Sequence, residues 1–449
     1  MPRKLLHLIV FIEGFSSLGA EIIALRRLVP HVGSSIVVTA PTIGFFLLAL
    51  ALGYAAGARI GADYRRVVAR NFLLAAGIAG IGLAGPTVEV IFAAFGEPLV
   101  GYVFFVGGVL CPLAWLLGQT VPILTNLMQH TRTGEASGYA LYYSTLGSFL
   151  GSLTLSLIVM QWLGVAAAVL ICSLLLVAGF LVLQEGQRRS GASAAVVALI
   201  IGVLNLLPRN TTETAYADYS VLPVTLPETI EPRAFRNNNS IASLLDNSEP
   251  PHYARYIHHI RGILLDELQL RDQAILVLGA GGFTLSHEEP HNRYTYVDID
   301  PAIREIAEKR FLGKPVVGEF IADDARRFIT RPEQAGQYAA AVVDVYSSHT
   351  SIPGHLVTRE FWRDTRHVLE DDGVLIANLI LDAQLATPYA RNLLATIESV
   401  YGRCAVEVLH KRQKLSNVVL TCRAKGQPGT SAIYVDELNR ADLDLVRSR

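Results

Sequence analysis

The sequence predicts two unlike parts, an N-terminal multi-span α-helical membrane domain and a C-terminal α/β domain built on a doubly wound parallel sheet. Three observations carry this. Nearly all the long apolar runs fall before about residue 208, whereas residues 210–449 hold most of the charges. The stretch Ala274–Asp300, AILVLGAGGFTLSHEEPHNRYTYVDID, reads as a buried strand, a glycine turn and a second strand ending in acids, which is the layout of a nucleotide-binding βαβ unit. Beyond it short apolar strands alternate with helical segments, and acids stand at the strand ends, at Asp298, Asp324 and Asp344.

Composition narrows the function classes. Of 449 residues, 51% are hydrophobic and only 17% charged, which is more apolar than an ordinary soluble protein. A net charge of −1 without a basic stripe gives no sign of a nucleic-acid partner. Four cysteines are too few for a disulfide framework, and none sits in a CxxC or metal-ligand spacing, so no metal site is expected.

In the first half, stretches long enough to cross a bilayer occur at about Leu5–Leu25, Ile36–Ala58, Phe72–Phe95, Leu99–Leu117, Tyr139–Trp162, Val165–Leu183 and Ala192–Leu207, the last being short. A cleaved signal peptide would account only for the first. The domain is therefore expected to sit in a lipid bilayer, as a multi-pass protein of a bacterial-type inner membrane. Arg3, Lys4, Arg59, Arg65, Arg66, Arg70, Arg132, Arg188 and Arg189 fall on one side, and only Arg26 and Arg27 on the other. That bias puts the N-terminus in the cytoplasm. Seven crossings then put the soluble half outside, whereas a nucleotide-type substrate argues for the cytoplasm, and the sequence leaves that conflict open.

Several intramembrane positions are not what lipid alone would select. Glu13 and Glu21 lie in the first span, where an acid costs on the order of 2.5–3.5 kcal/mol. Two readings stand: a cation or amine site inside the bundle, or an ion pair with Arg26, Arg27 or Arg59 that fixes the packing. Gly53, Gly57 and Gly61, and again Gly147 and Gly151, have the four-residue spacing of closely packed helices. Pro112 and Pro122 around Gly118 predict a broken fourth span.

Residues 209–239, rich in Thr, Pro and Glu, read as a linker with entry strands. Ser240–Asp246 is a plausible strand, and Pro250-Pro251 opens a helical segment, His252–Leu268, with Tyr253, Tyr256, Ile257, Ile260, Ile263 and Leu264 at helical spacing. Asp300-Pro301 predicts the start of a helix over Ala302–Phe311. Strands are expected at Val316–Ile321, Tyr338–Val343 and Gly373–Ile380, a helix at Phe361–Leu369, and a closing hairpin at Cys404–Leu409 and Asn417–Cys422. Its two cysteines stand symmetrically about the turn, as a cross-strand disulfide or as two small buried hydrophobes. The tail, residues 426–449, has little apolar periodicity and is expected to be partly disordered.

Residues 240–425 resemble the spermidine synthase family of polyamine aminopropyltransferases, in the variety fused behind a membrane domain; EGFSSLGAEIIALRRLVPHVGSS and GYAAGARI are similar to the membrane part of such fusions. The resemblance implies a Rossmann-like, methyltransferase-type fold for this domain. It also implies transfer of an aminopropyl group from decarboxylated S-adenosylmethionine, a substrate rather than a bound cofactor, to an amine, with release of methylthioadenosine. YTYVDID implies that Asp298 binds the ribose, ADDARRF that Asp324 holds the adenine amine, and VVDVYSS that Asp344 is the general base. The glycine loop, Gly279 and Gly281, is expected to admit the nucleoside, and YARYIHH implies substrate contacts from Tyr253 and His259.

The departures from the family pattern matter too. Gly282 stands where the glycine loop usually has an acid, Phe283 and Thr284 replace the glycines after it, Ser347 replaces a second acid, and Arg255 replaces a glutamate. A site stripped of three carboxylates is expected to bind a polyamine poorly unless Glu288, Glu289 or a membrane acid compensates. Three other readings therefore stand beside aminopropyl transfer: acceptor-independent cleavage of S-adenosylmethionine, a membrane transport or sensor protein whose α/β domain only binds a nucleoside, and, more weakly, methyl transfer. The acceptor and any homo-oligomeric state are not fixed by the sequence.

Overall fold

The computed structural model describes residues 3–33, 35–127, 133–184, 188–207, 210–346, 352–427, 429 and 433–448. Arg132 and Ser347 lie outside them, as do the side chains of Arg3, Arg188 and Arg189. The chain forms two compact units, one drawn almost wholly from the residues before Asn210, the other mostly from Tyr216–Arg449.

The first unit is helical. Four helices are long and apolar enough to cross a membrane, or five if Tyr64–Gly82 and Gly85–Phe95, bent by 68°, are one span. This is compatible with a membrane protein. The longest, Gly134–Gln184, is interrupted at Gly164, where φ is +82°, so it consists of two helical pieces. All seven apolar stretches are helical over most of their length, but Phe72–Phe95 is interrupted at residues 83–84 and Gly191–Leu206 is shorter than a full span. The proline-bearing segment is not broken as the sequence predicts: Pro98–Leu127 runs as one 30-residue span, and Gln119, between Cys111–Gly118 and Thr120–Leu127, keeps helical angles of φ −66° and ψ −21°. The first helix, Arg3–Val32, is the most enclosed, 67% of its apolar window being buried against 22% for Ile36–Ala58. Ile9, Val10, Ile23 and Ala24 on it are fully buried, whereas Phe45, Leu47, Leu48 and Leu52 on the second helix face outward, as lipid-facing side chains do. The glycine spacing is a packing device: a Cβ at Gly147 would lie 2.2 Å from the Phe11 carbonyl oxygen, and one at Gly53 2.4 Å from that of Trp115. Gly61 is the exception and faces open space.

The second unit begins with a four-stranded antiparallel sheet, β1 (Thr211–Glu213), β2 (Asp218–Pro223), β3 (Arg233–Asn237) and β4 (Ser240–Leu245), in chain order. A seven-stranded sheet follows: β5 (Ala274–Leu278), β6 (Arg293–Asp298), β7 (Glu319–Ala322), β8 (Tyr338–Val343), β9 (Leu369–Asp382), β10 (Ala405–Val408) and β11 (Leu415–Arg423). Its order is β10-β11-β9-β8-β5-β6-β7. β5 through β9 are parallel and the terminal hairpin is antiparallel. All six residues of β8 are buried, as expected of a strand covered on both faces.

Three differences from the sequence pattern stand out. No helix joins β5 to β6: residues 279–292 form an irregular turn-rich loop in which Phe283, Thr284, Leu285, Ser286 and Glu289 are buried. The connection is too short to run up a helix and back, and Pro290 removes a donor. The helix after β6 starts at Ile303, with Asp300 accepting from Ala302 N in the preceding turn. The tail is not disordered over its described part: Tyr434, Ala441 and Leu445 are buried, and Tyr434 Oη donates to Asp444 at 3.0 Å. A short helix, Ala441–Ser448, carries two of these residues. Cys404 and Cys422 are bonded to each other, the next pair beyond Ala405↔Thr421 in the hairpin register.

Candidate functional site

In this sheet order the chain runs outward from β5 through β6 to β7, then returns to the other side of β5 for β8. The topological switch point therefore lies between β5 and β8, where open α/β sheets bind ligands beyond the strand ends. The sequence pattern suggests three acids on consecutive strand ends. The sheet order separates them, because β5 and its glycine loop stand between Asp344, after β8, and Asp298 and Asp324, after β6 and β7.

Gly279 follows β5 with φ +89°, and a Cβ there would lie 2.2 Å from the Asp344 carbonyl oxygen. Only glycine meets both demands at low cost. On the other side of the loop, Ala280 N and Asp300 N each donate to the Asp298 carboxylate at 3.0 Å. Burial nonetheless raises the Asp298 carboxyl to about 6. Asp344 is held by Asn378, whose Nδ2 donates to Oδ1 at 2.8 Å, and Asn378 Oδ1 in turn accepts from Asn417 Nδ2 at 2.9 Å. Burial raises Asp344 to about 6, opposed chiefly by the hydrogen bond from Asn378, while the nearby Tyr256 hydroxyl donates to the Ala242 carbonyl at 2.6 Å. A carboxylate poised there is ionised at neutral pH yet more basic than an exposed one.

Asp344, Ser243, Tyr256, Gly279, Gly281 and Thr284 line a small pocket with about 10 Å³ of free volume, room for a single water. The polar groups around Asp344 are thus neutral: the Asn378 amide and the hydroxyls of Ser243, Tyr256 and Thr284. Ser243, Tyr256 and Asn378 escaped the sequence reading. Tyr256 was counted with the apolar stripe of its helix, and Asn378 lies in the apolar run of β9. An amide or hydroxyl at a fully buried position is the signal each one carried.

The residues proposed from sequence do not all converge. Gly279, Gly281 and Asp344 share the pocket, and Asp298 ties down its rim. Asp324 caps the helix Ala325–Ile329, accepting from Arg327 N at 2.9 Å, and its other oxygen lies 3.3 Å from His355 Nε2. Tyr253 Oη instead meets His287 Nδ1 at 2.9 Å, and His259 lies 3.3 Å from Glu407 on β10. Neither lines the pocket. Glu288 pairs with Lys314, and Glu289 accepts from His291 N and Asn292 Nδ2, so neither is turned toward Asp344's lining.

The loop is closed from outside by Arg261, which donates to the carbonyls of Thr284, Leu285 and His287 and lies over the Tyr253 ring. Tyr296 braces it from below through both Ser286 N and Ser286 Oγ. A Cβ at Gly282 would lie 2.5 Å from Phe311 Cε1 and 2.8 Å from Ser243 Cβ. The space beside Gly282 is therefore filled by neighbouring side chains.

No family model matches the chain. It is 33% identical over 138 residues to a polyamine aminopropyltransferase of Vibrio vulnificus, covering 29% of this chain and 44% of that protein. The chain thus spans less than half the length of that relative. It is 27% identical over 420 residues to polyamine aminopropyltransferase 1 of Streptomyces coelicolor, covering 83% of this chain and 75% of the other, so that likeness extends into the apolar half. Among solved structures, a probable spermidine synthase from Corynebacterium glutamicum is similar at 19% identity and TM-score 0.41, over 48% of this chain and 80% of that one.

Proposed function

We propose that this chain is a member of the spermidine synthase family and a membrane-bound aminopropyltransferase-like enzyme that acts on decarboxylated S-adenosylmethionine and releases methylthioadenosine. The observation that carries the reading is Asp344, at the switch point, held by Asn378 beside Gly279 and raised toward neutrality by burial. In the reaction, Asp344 takes a proton from the acceptor ammonium. The freed amine nitrogen attacks the carbon next to the sulfonium, a C–N bond forms, and the C–S electron pair leaves with methylthioadenosine. Asp298 receives the ribose hydroxyls and Asp324 the adenine amine. The test is methylthioadenosine release by the purified full-length protein: wild type releases it and Asp344→Asn loses at least a hundredfold in rate. Equal release by both would overturn the role.

A second reading rests on the neutral pocket lining and the filled position at Gly282. Without carboxylates to hold an acceptor, the ligand's own carboxylate attacks the carbon beside the sulfonium of S-adenosylmethionine, giving a lactone and methylthioadenosine without an amine. Omitting the amine separates the two: unchanged release favours intramolecular cleavage, and loss of release favours transfer.

A further inference from the structure

The first membrane helix carries a buried acidic ladder that the soluble site does not use. Glu13, Ser17 and Glu21 recur every fourth residue on Arg3–Val32, so they stand one above another on one side of the helix, and they are 1%, 4% and 5% exposed. The arginines near them in sequence are engaged elsewhere. Arg27 donates to the Leu83 carbonyl and pairs with Glu213, and Arg26 donates to the Thr214 carbonyl. Among the described residues neither glutamate makes an ion pair. Glu13 accepts from Ser144 Oγ at 2.8 Å. Glu21 Oε2 is buried without a hydrogen-bond partner, as is Thr120 Oγ1 on a helix packed against the first.

The ion-pair explanation of these acids therefore fails for the groups the structure describes. A buried carboxylate oxygen with no donor costs several kcal/mol unless a proton or a cation meets it. The two carboxylates are eight residues apart, roughly 12 Å along the helix, too far to share one ion. Among the described residues no group of three or more His, Cys, Asp or Glu could hold a metal. Two carboxyl groups at that separation, with a serine midway between them on the helix, suit one extended molecule that is positive at both ends.

We propose that Glu13, Ser17 and Glu21 form a binding site inside the helical unit for a linear polyammonium ion. Glu13 and Glu21 accept from its terminal ammonium groups, Ser17 from an amine between them, and the methylene chain lies against apolar walls. The choice of a polyamine rests on the activity proposed above; the presence of a cation site does not.

The probe is radiolabelled spermidine, and the protein is the full chain in lipid nanodiscs. Saturable binding is expected to survive Asp344→Asn and to weaken at least tenfold in Glu13→Gln and in Glu21→Gln, while both Gln variants still release methylthioadenosine. Unchanged affinity in both Gln variants overturns the proposal, as does spermidine binding that disappears with Asp344→Asn alone. If a Gln variant does not purify as a single species, Glu21→Asp keeps the charge but withdraws it by one methylene, and binding weaker than wild type is then the expected result. Loss of methylthioadenosine release by the wild type would remove the proposed activity without touching this binding readout.

Discussion

Gly279 and Asp344 lie back to back across the parallel β5–β8 pair, so close that a methyl group on Gly279 would fall 2.2 Å from the Asp344 carbonyl oxygen. This contact sets the position of the carboxylate. Gly279→Ala must both displace that backbone and hold a side chain at φ +89°, so a loss of roughly 2–4 kcal/mol is expected. Denaturant unfolding of the protein measures it. Methylthioadenosine release should fall along with stability.

Placing an acid at position 282 should not create an amine-binding site. The Cβ of Gly282→Asp would press on Phe311 and Ser243, and a carboxylate would be forced into a closed apolar contact. The expected outcome is a destabilised protein with no gain in acceptor affinity. A variant of normal stability with tighter acceptor binding would show that the loop can open.

Asp344 and Asp298 are each raised to about 6 by burial, which gives a pH signature. The rate should rise through about pH 6 as Asp344 loses its proton, and level off above it. Stability runs the other way. A carboxyl whose folded pKa exceeds its unfolded value binds its proton more tightly when folded, so that contribution is lost as pH climbs from about 4 to about 6. Asp344→Asn should therefore be more stable than wild type at pH 8, by about 3 kcal/mol, and little different at pH 4. The Asn378 donor keeps an acceptor in that variant. Thermal unfolding at the two pH values reads the difference.

Arg261 holds the loop by three carbonyl bonds. Arg261→Gln should cost about 3 kcal/mol of local stability and speed amide hydrogen exchange across residues 284–289. Exchange in β8 and β9 should be unchanged. Acceleration spread over the whole sheet would mean that Arg261 supports the domain rather than the loop.

The disulfide Cys404–Cys422 has a sequence separation of 18, so reduction should lower the stability of the second unit by about 3 kcal/mol on a chain-entropy account. Intact-mass measurement before and after reduction detects the pair. Disulfides persist in oxidising compartments, which is where this pair stays bonded. An alkaline phosphatase fused after Arg449 is accordingly expected to be active, and an inactive fusion with reduced cysteines would reverse the assignment.

Much of this protein was written locally. Apolar runs of membrane length, the glycine after β5 and the all-buried β8 announce helices and a parallel sheet, because each depends on a few neighbouring residues. Asp298 and Asp344 were legible as strand-end acids for the same reason. What the sequence could not reveal depends on approach between distant segments. Ser243 and Tyr256 reach the Asp344 pocket from the antiparallel sheet and from the helix after it, and Asn378 reaches it from β9. Tyr253 and His259 carry suitable chemistry, but their helix turns them to His287 and Glu407. Whether Glu13 and Glu21 were ion-paired was equally undecidable, since both readings require the same apolar spacing. Packing decided it, by engaging Arg26 and Arg27 elsewhere and burying the two acids on the most enclosed helix of the unit.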